Sequence, residues 1–211
     1  MSALIFDFGA VLFRWRPKVL LSRVLPEVCT STEATQALVD GFFQGYGGDW
    51  GRFDRGDIEV DALTESIATR LALAPEQVRA VIDAVPAELE PIADSVALLR
   101  RVHAAGHRLF YLSNMPAPFA DHLERSHDFM SCFEAGVFSA RVGLVKPDRA
   151  IFELALSRFG LSAGEAIFLD DHPANVAAAR AIGLRAVQFA DAAQASRELV
   201  DLGVVAAVAA P

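Results

Sequence analysis

The sequence predicts an α/β fold, a mainly parallel sheet whose chain is interrupted near its start by a small helical cap. Three observations lead there. Two short runs, Leu4–Phe8 and Ala166–Leu169, are apolar on almost every residue and carry acidic residues at their C-terminal ends, the pattern of strands buried on both faces. From about residue 14 to residue 88 the periodicity is helical, with no convincing strand. After Pro91 helices and strands alternate, as a parallel sheet covered on both faces requires.

In chain order, Leu4–Phe8 is the first strand, with Asp7 at its end and Gly9 just beyond. Pro17–Leu25, Thr32–Phe43, Val60–Leu71 and Pro75–Ala84 read as helices. Glu33, Glu59 and Glu76 stand near their starts, where negative charge suits the helix dipole. Gly45, Gly47, Gly48, Gly51 and Gly56 break up the middle of this insert. Ala93–Ala105 is a helix stopped by Gly106, and Arg108–Leu112 a strand. Ala117–Ser126 is a helix, followed by a short strand at Ala135–Ser139. Asp148–Phe159 is amphipathic, with Ile151, Phe152, Ala155 and Phe159 on one face and Gly160 to end it. Ala166–Leu169 is a strand, Ala174–Ile182 a helix closed by Gly183, and Arg185–Phe189 the last strand. The expected organisation is a Rossmann-like core of residues 1–13 and 89–211, with a cap of residues 14–88.

The bulk composition narrows the functions. At 211 residues, 53% hydrophobic and 22% charged, the chain has the makings of a packed globular protein. A net charge of −8 with no basic run argues against nucleic acid and anionic membrane as partners. The tail GVVAAVAAP is far short of the ~20 residues of a spanning helix and is expected to pack on the body or at a subunit contact. MSALIFDF carries no secretory pattern, so the expected location is cytoplasmic. Cys29 and Cys132 lack metal-binding spacing and read as buried free thiols, with a disulfide as the alternative. Lys18 and Lys146 are the only lysines among nineteen basic residues, which makes each informative.

Four segments carry chemistry. Asp7 ends the first strand, Ser113 and Asn114 follow RLFYL, Lys146 stands in GLVKPD before a helix, and Asp170 and Asp171 follow AIFL with Asn175 beyond. Singly, each has an ordinary structural reading: a turn, a solvated lysine, a helix cap. Together they fall at the carboxyl ends of strands, where ligands bind in such sheets. Three carboxylates at one edge repel unless a cation sits among them. Oxygen ligands select a hard ion, and Mg²⁺ takes one or two carboxylates plus substrate phosphate and water. A lysine and a Ser hydroxyl with backbone N–H groups suit phosphoryl oxygens, and an Asp can attack phosphorus to give an aspartyl-phosphate.

The order of these segments resembles the haloacid dehalogenase superfamily over essentially the whole chain. FDFGAVL is similar to its first motif, LSN to the second, VKPD to the third and LDDHPAN to the fourth. The similarity is greatest to small phosphatases with a helical cap after the first motif, of the bacterial α-D-glucose-1-phosphate phosphatase type, in which the first motif reads D-x-G-N-V and glycine likewise stands two residues after the Asp. The resemblance implies that Asp7 is nucleophile and metal ligand, and that Asp171, with Asp170 beside it, completes an Mg²⁺ site to which the Gly9 carbonyl contributes. It implies further that Ser113 and the Asn114 amide hold the phosphoryl group, that Lys146 bridges it to Asp7, and that Asn175 orients Lys146.

Most phosphatases of the superfamily carry a second Asp where Gly9 stands, as general acid and base. Such a group contributes about 10²–10⁴-fold. A good leaving group, water or His172 are the compensations open to this chain. Arg14 and Arg16, at the cap entrance, are candidates for a substrate phosphate or sugar, with exposed surface arginines as the alternative. Trp15, Trp50 and Phe53 read as core packing, with an apolar wall over the site as the alternative. The expected function is Mg²⁺-dependent hydrolysis of a small phosphorylated metabolite, such as a sugar phosphate. The alternatives are a 2-haloacid dehalogenase, a phosphonate-cleaving enzyme, or a catalytically weak phospho-ligand-binding protein. Asp170-Asp171 counts against the dehalogenase, and the lack of a well-placed cap lysine against phosphonate cleavage. Oligomeric state is not legible.

Overall fold

The computed structural model describes residues 2–204. Five strands, β1 (Ala3–Phe6), β2 (Arg108–Ser113), β3 (Ala135–Phe138), β4 (Ala166–Asp170) and β5 (Arg185–Gln188), form one parallel sheet in the order β3-β2-β1-β4-β5. The α/β expectation holds, and β1 lies at the centre. Leu4 and Phe6 join one buried cluster, and Ala3 and Ile5 the other. Successive side chains of a strand point to opposite faces, so two covered faces explain an apolar run without alternation.

Between β1 and β2 lie α1 (Pro17–Val24), α2 (Thr32–Phe43), α3 (Gly48–Arg55), α4 (Val60–Leu71), α5 (Pro75–Glu88) and α6 (Ala93–Ala104). The later helices are α7 (Ala117–Ser126), α8 (Arg149–Phe159), α9 (Pro173–Ala181) and α10 (Ala192–Asp201). Leu20, Phe42, Trp50 and Leu63 of the early helices share a hydrophobic cluster with Leu4 and Phe6 of β1. The early helices are therefore fastened to one face of the sheet by a continuous apolar core.

Three elements depart from expectation. Helix α3 occupies the glycine-rich stretch expected to be broken. Gly47 precedes it, and Gly56 ends it in the left-handed conformation, φ +83°. Within it, a Cβ on Gly51 would stand 2.4 Å from the Tyr46 carbonyl oxygen, so close packing, not flexibility, accounts for that glycine. Helix α5 runs on to Glu88, past Pro86. Helix α10 has no counterpart among the sequence expectations; Asp191 caps it by accepting from the Gln194 amide at 2.7 Å. Cys29 and Cys132 are free thiols, half-buried rather than buried. Beyond Val204 the apolar tail lies outside the described residues. No helix among the described residues is long and apolar enough to cross a membrane.

Candidate active site

Sheet register gathers the site. Phe6 pairs with Leu169 on one side and Tyr111 on the other, so the next residue, Asp7, lies beside Asp170 and one step from Ser113. The Asp7 amide donates to the Leu169 carbonyl at 2.9 Å, which continues the ladder to the acidic edge. Strand order reverses at β1, between β2 and β4, and such switch points are where open α/β sheets bind ligands. The loop after Asp7 then folds on itself. The Phe8 carbonyl accepts from Leu12 and Phe13 at 2.9 and 2.8 Å. Its left-handed residue is Ala10, φ +57°, and not Gly9.

Lys146 reaches this edge from the loop after β3. Its Nζ lies 2.8 Å from Asp7 Oδ1 and 2.6 Å from Asp170 Oδ2, with its side chain 1% exposed. Asn114 holds the lysine's backbone from both sides: its Nδ2 donates to the Lys146 carbonyl at 2.9 Å, and its Oδ1 accepts from the Lys146 amide at 2.8 Å. Asp170 is wholly buried. It accepts from Lys146, from Asn175 Nδ2 at 3.0 and 3.1 Å, and from the His172 amide at 2.8 Å. Asn175 thus orients Lys146 only through Asp170.

Asp7, Asp170 and Asp171 each offer a carboxylate oxygen within 4.8 Å of the others. Against three acids stands one ammonium group. Burial lifts the Asp7 carboxyl to about 7; Lys146 opposes the rise, and Asp170 adds to it. Burial and Asp170 likewise raise Asp171. For Lys146, burial favours the neutral amine, but Asp170 and Asp7 outweigh it and its pKa is raised. Although Lys146 is close, Asp7 Oδ1 has no aligned hydrogen-bond donor.

A cavity of about 240 Å³ opens over this edge. Asp7, Gly9, Ser113, Asn114, Lys146, Asp171, His172 and Asn175 all line it. Trp15, Tyr46, Trp50, Val85, Leu89, Met115 and Phe119 form much of the remaining wall, which is predominantly apolar. Trp15 and Trp50 are both wall and packing, with ring centroids 6.4 Å apart; Phe53 is core, edge-on to Trp50 and Phe119.

Arg14 stands apart from the other expected site residues. Its side chain is half exposed and pairs with Glu90 at 3.7 Å, away from the cavity lining. Arg16 pairs with Glu88 at 2.6 Å. Position after the first strand brought both to notice, but the chain turns there to meet the buried Glu88 and the exposed Glu90. Sequence reasoning also missed Asp54, a buried α3 carboxyl that lines the cavity. It stands in a run of aspartates, arginines and glycines that resembles a solvated surface.

The fold and site define an α/β protein with an acidic edge at the switch point of its parallel sheet. The haloacid dehalogenase-like hydrolase family matches residues 21–183, and the chain belongs to that family. It is 30% identical to the sesquiterpene phosphatase astK of Aspergillus oryzae, over 95% of this chain and 96% of that one. Among solved structures, a HAD-like family hydrolase from Porphyromonas gingivalis matches with TM-score 0.70 and 21% identity, over 95% and 98% of the two chains. A HAD family enzyme of Bacteroides thetaiotaomicron, in complex with magnesium and inorganic phosphate, matches with TM-score 0.69 and 18% identity, over 89% and 93%.

Proposed function

We propose that the protein is an Mg²⁺-dependent phosphomonoesterase that works through an aspartyl-phosphate on Asp7, with residues 14–88 as its cap. The observation that carries this reading is Asp7 held beside Lys146 and Asp170, at the mouth of a cavity that Ser113 and Asp171 also line.

The donor set fits a hard divalent cation. Only carboxylate oxygens and backbone carbonyls are offered, and three carboxylates exceed the single ammonium. Asp7, Asp171 and the Gly9 carbonyl would hold the ion. Asp170, already saturated by Lys146, Asn175 and the His172 amide, supports them from behind. Bound there, Mg²⁺ supplies positive charge that offsets repulsion between Asp7 and a phosphate dianion.

The chain's own residues do the rest. Asp7 attacks phosphorus, and Lys146, fixed by Asn114, stabilises charge on a phosphoryl oxygen. The Ser113 hydroxyl and the Asn114 amide hold another. The Asn114 side chain is committed to the Lys146 backbone, so its share in binding is through the main chain. The aromatic wall excludes water and favours an ester with an apolar organic part. That lining suits a sugar hydroxyl less well, so a compact hydrocarbon phosphate is the better substrate class. Similarity to a sesquiterpene phosphatase supports the same choice.

A panel of alkyl, isoprenoid, aryl and sugar phosphates, assayed with Mg²⁺ and with chelator, tests the reading. Expected is metal-dependent release of phosphate with the apolar esters preferred. Undiminished turnover in chelator, or release of halide from 2-haloacids in its place, would reject it.

A further inference from the structure

Resting on that phosphomonoesterase reading, we propose that Asp54 of α3 is the general acid and base that the Gly9 loop lacks. Asp54 is 5% exposed and lines the same cavity as Asp7, Gly9 and Lys146. Among the described residues no donor or cation pairs with its carboxyl, and Lys146 pairs with Asp7 and Asp170 instead. Its oxygens are not among the fully buried polar atoms that lack a partner, and Asp54 lines the cavity that Asp7 and Ser113 also line.

The fold takes care over its placement. The Asp54 carbonyl accepts from Ser139 Oγ, and Ser139 Oγ accepts in turn from the Met115 amide at 2.8 Å. One residue pair further on, Gly56 packs so tightly that a Cβ there would lie 2.5 Å from the Ala140 carbonyl oxygen. Helix α3 is thus clamped to the loops after β2 and β3, of which the first follows directly on Ser113 and the second carries Lys146. A backbone clamped in this way fixes where the Asp54 side chain starts relative to the edge that carries Asp7.

Its protonation suits the task. Burial pushes Asp54 up to about 8, against the pull of Lys146 and with a push from Asp7. Asp7, Lys146, Tyr46, Asp171 and His172 are the other titratable groups over the same cavity, and Tyr46 is raised by Asp54 and by Asp171. Elsewhere around α3, Arg70 is occupied by Asp49 and Arg141 by Asp121 and Glu124.

The proton cycle closes. As an Asp7 oxygen bonds to phosphorus and the bond from phosphorus to the ester oxygen breaks, protonated Asp54 gives its proton to the departing oxygen and becomes a carboxylate. That carboxylate then takes a proton from water as the water oxygen attacks the aspartyl-phosphate. The bond between phosphorus and Asp7 breaks, inorganic phosphate leaves, and Asp7 is ionised and Asp54 protonated again.

The test compares Asp54→Asn with wild type on 4-nitrophenyl phosphate and on a primary alkyl phosphate, with saturating Mg²⁺. Single-turnover release of alcohol is followed from pH 6 to pH 9, and circular dichroism checks folding. A lost acid should cost about 10²–10⁴-fold on the alkyl ester and under tenfold on the nitrophenyl ester, whose leaving group departs unprotonated. The fall in alkyl-ester rate towards high pH should vanish in the variant. Equal losses on both esters, or no loss, overturn the proposal. If the variant does not fold, the wild type decides: its rate should depend weakly on leaving-group basicity at pH 6 and steeply at pH 9, and a pH-independent slope overturns it. A wild type that hydrolyses neither ester removes the phosphomonoesterase reading itself, and the role of Asp54 with it.

Discussion

Replacing Lys146 with Met separates the charge at the site from its shape. Met keeps an unbranched side chain of similar length and deletes the ammonium group. In the folded protein that group lies 2.8 Å from Asp7 and 2.6 Å from Asp170, and all three side chains are at least nine-tenths buried. Removing one partner of a buried ion pair costs about 3–5 kcal/mol, because the remaining charge is stranded. Asp170 retains Asn175 and the His172 amide as donors, which places the expected loss near the lower end, about 3 kcal/mol. The sign with pH follows from Asp7. Burial already lifts it to about 7, and Lys146 is what holds it down. Without the lysine its folded pKa rises further above the unfolded value of 3.8. Below pH 7 Asp7 is mostly protonated in both folded proteins, and contributes little to their difference. Above pH 7 the variant retains a proton that the wild type has released, and each further tenfold weakening of Asp7 as an acid adds up to about 1.4 kcal/mol of loss. Urea unfolding followed by circular dichroism, with chelator at pH 5.5 and pH 8.5, measures both parts. A loss under about 1 kcal/mol at pH 8.5, or one no larger there than at pH 5.5, would refute this account of the buried charges.

Other outcomes follow from single sites. Asp171→Ala should weaken Mg²⁺ binding at least tenfold in titration calorimetry and leave the circular dichroism spectrum unchanged; unaltered binding removes Asp171 from the metal site. Gly56→Ala combines a left-handed φ of +83° with a Cβ 2.5 Å from a backbone oxygen. It should destabilise by about 1–3 kcal/mol, and a neutral result in denaturant titration contradicts the clamp on α3. Gly9→Asp meets no such obstacle. Gly9 is not in the left-handed region, and the nearest atom to an added Cβ is Trp15 Cβ at 4.0 Å. The variant should fold with a melting temperature close to wild type, and a large fall would contradict the open space beside Gly9.

Much of the acidic edge was legible because its residues follow apolar strands. Asp7 and Asp170 end runs whose burial leaves a carboxylate little choice but a partner, and parallel register aligns strand ends. Lys146 stood out through the scarcity of lysine. What could not be read was anything set by contact between distant segments. Arg14 is close to Asp7 in sequence, yet its side chain turns to Glu90. Helix α3 is hidden by glycines that are present because Tyr46 and Ala140 carbonyls crowd them. Asp54 is hidden with it, since only the folded chain shows that this aspartate lies inward over the site. The aromatic wall was half visible: Trp15 and Trp50 do pack, and they also line the cavity.

The central claim is that Asp7 takes the phosphoryl group. The most direct measurement is rapid quenching of the wild-type protein during turnover of an alkyl phosphate with Mg²⁺, followed by borohydride reduction and peptide mass spectrometry. An acyl-phosphate on Asp7 is reduced to homoserine at position 7, and that product should appear only when both ester and Mg²⁺ are present. Turnover without reduction at position 7, or with the label on another carboxylate, would contradict the account.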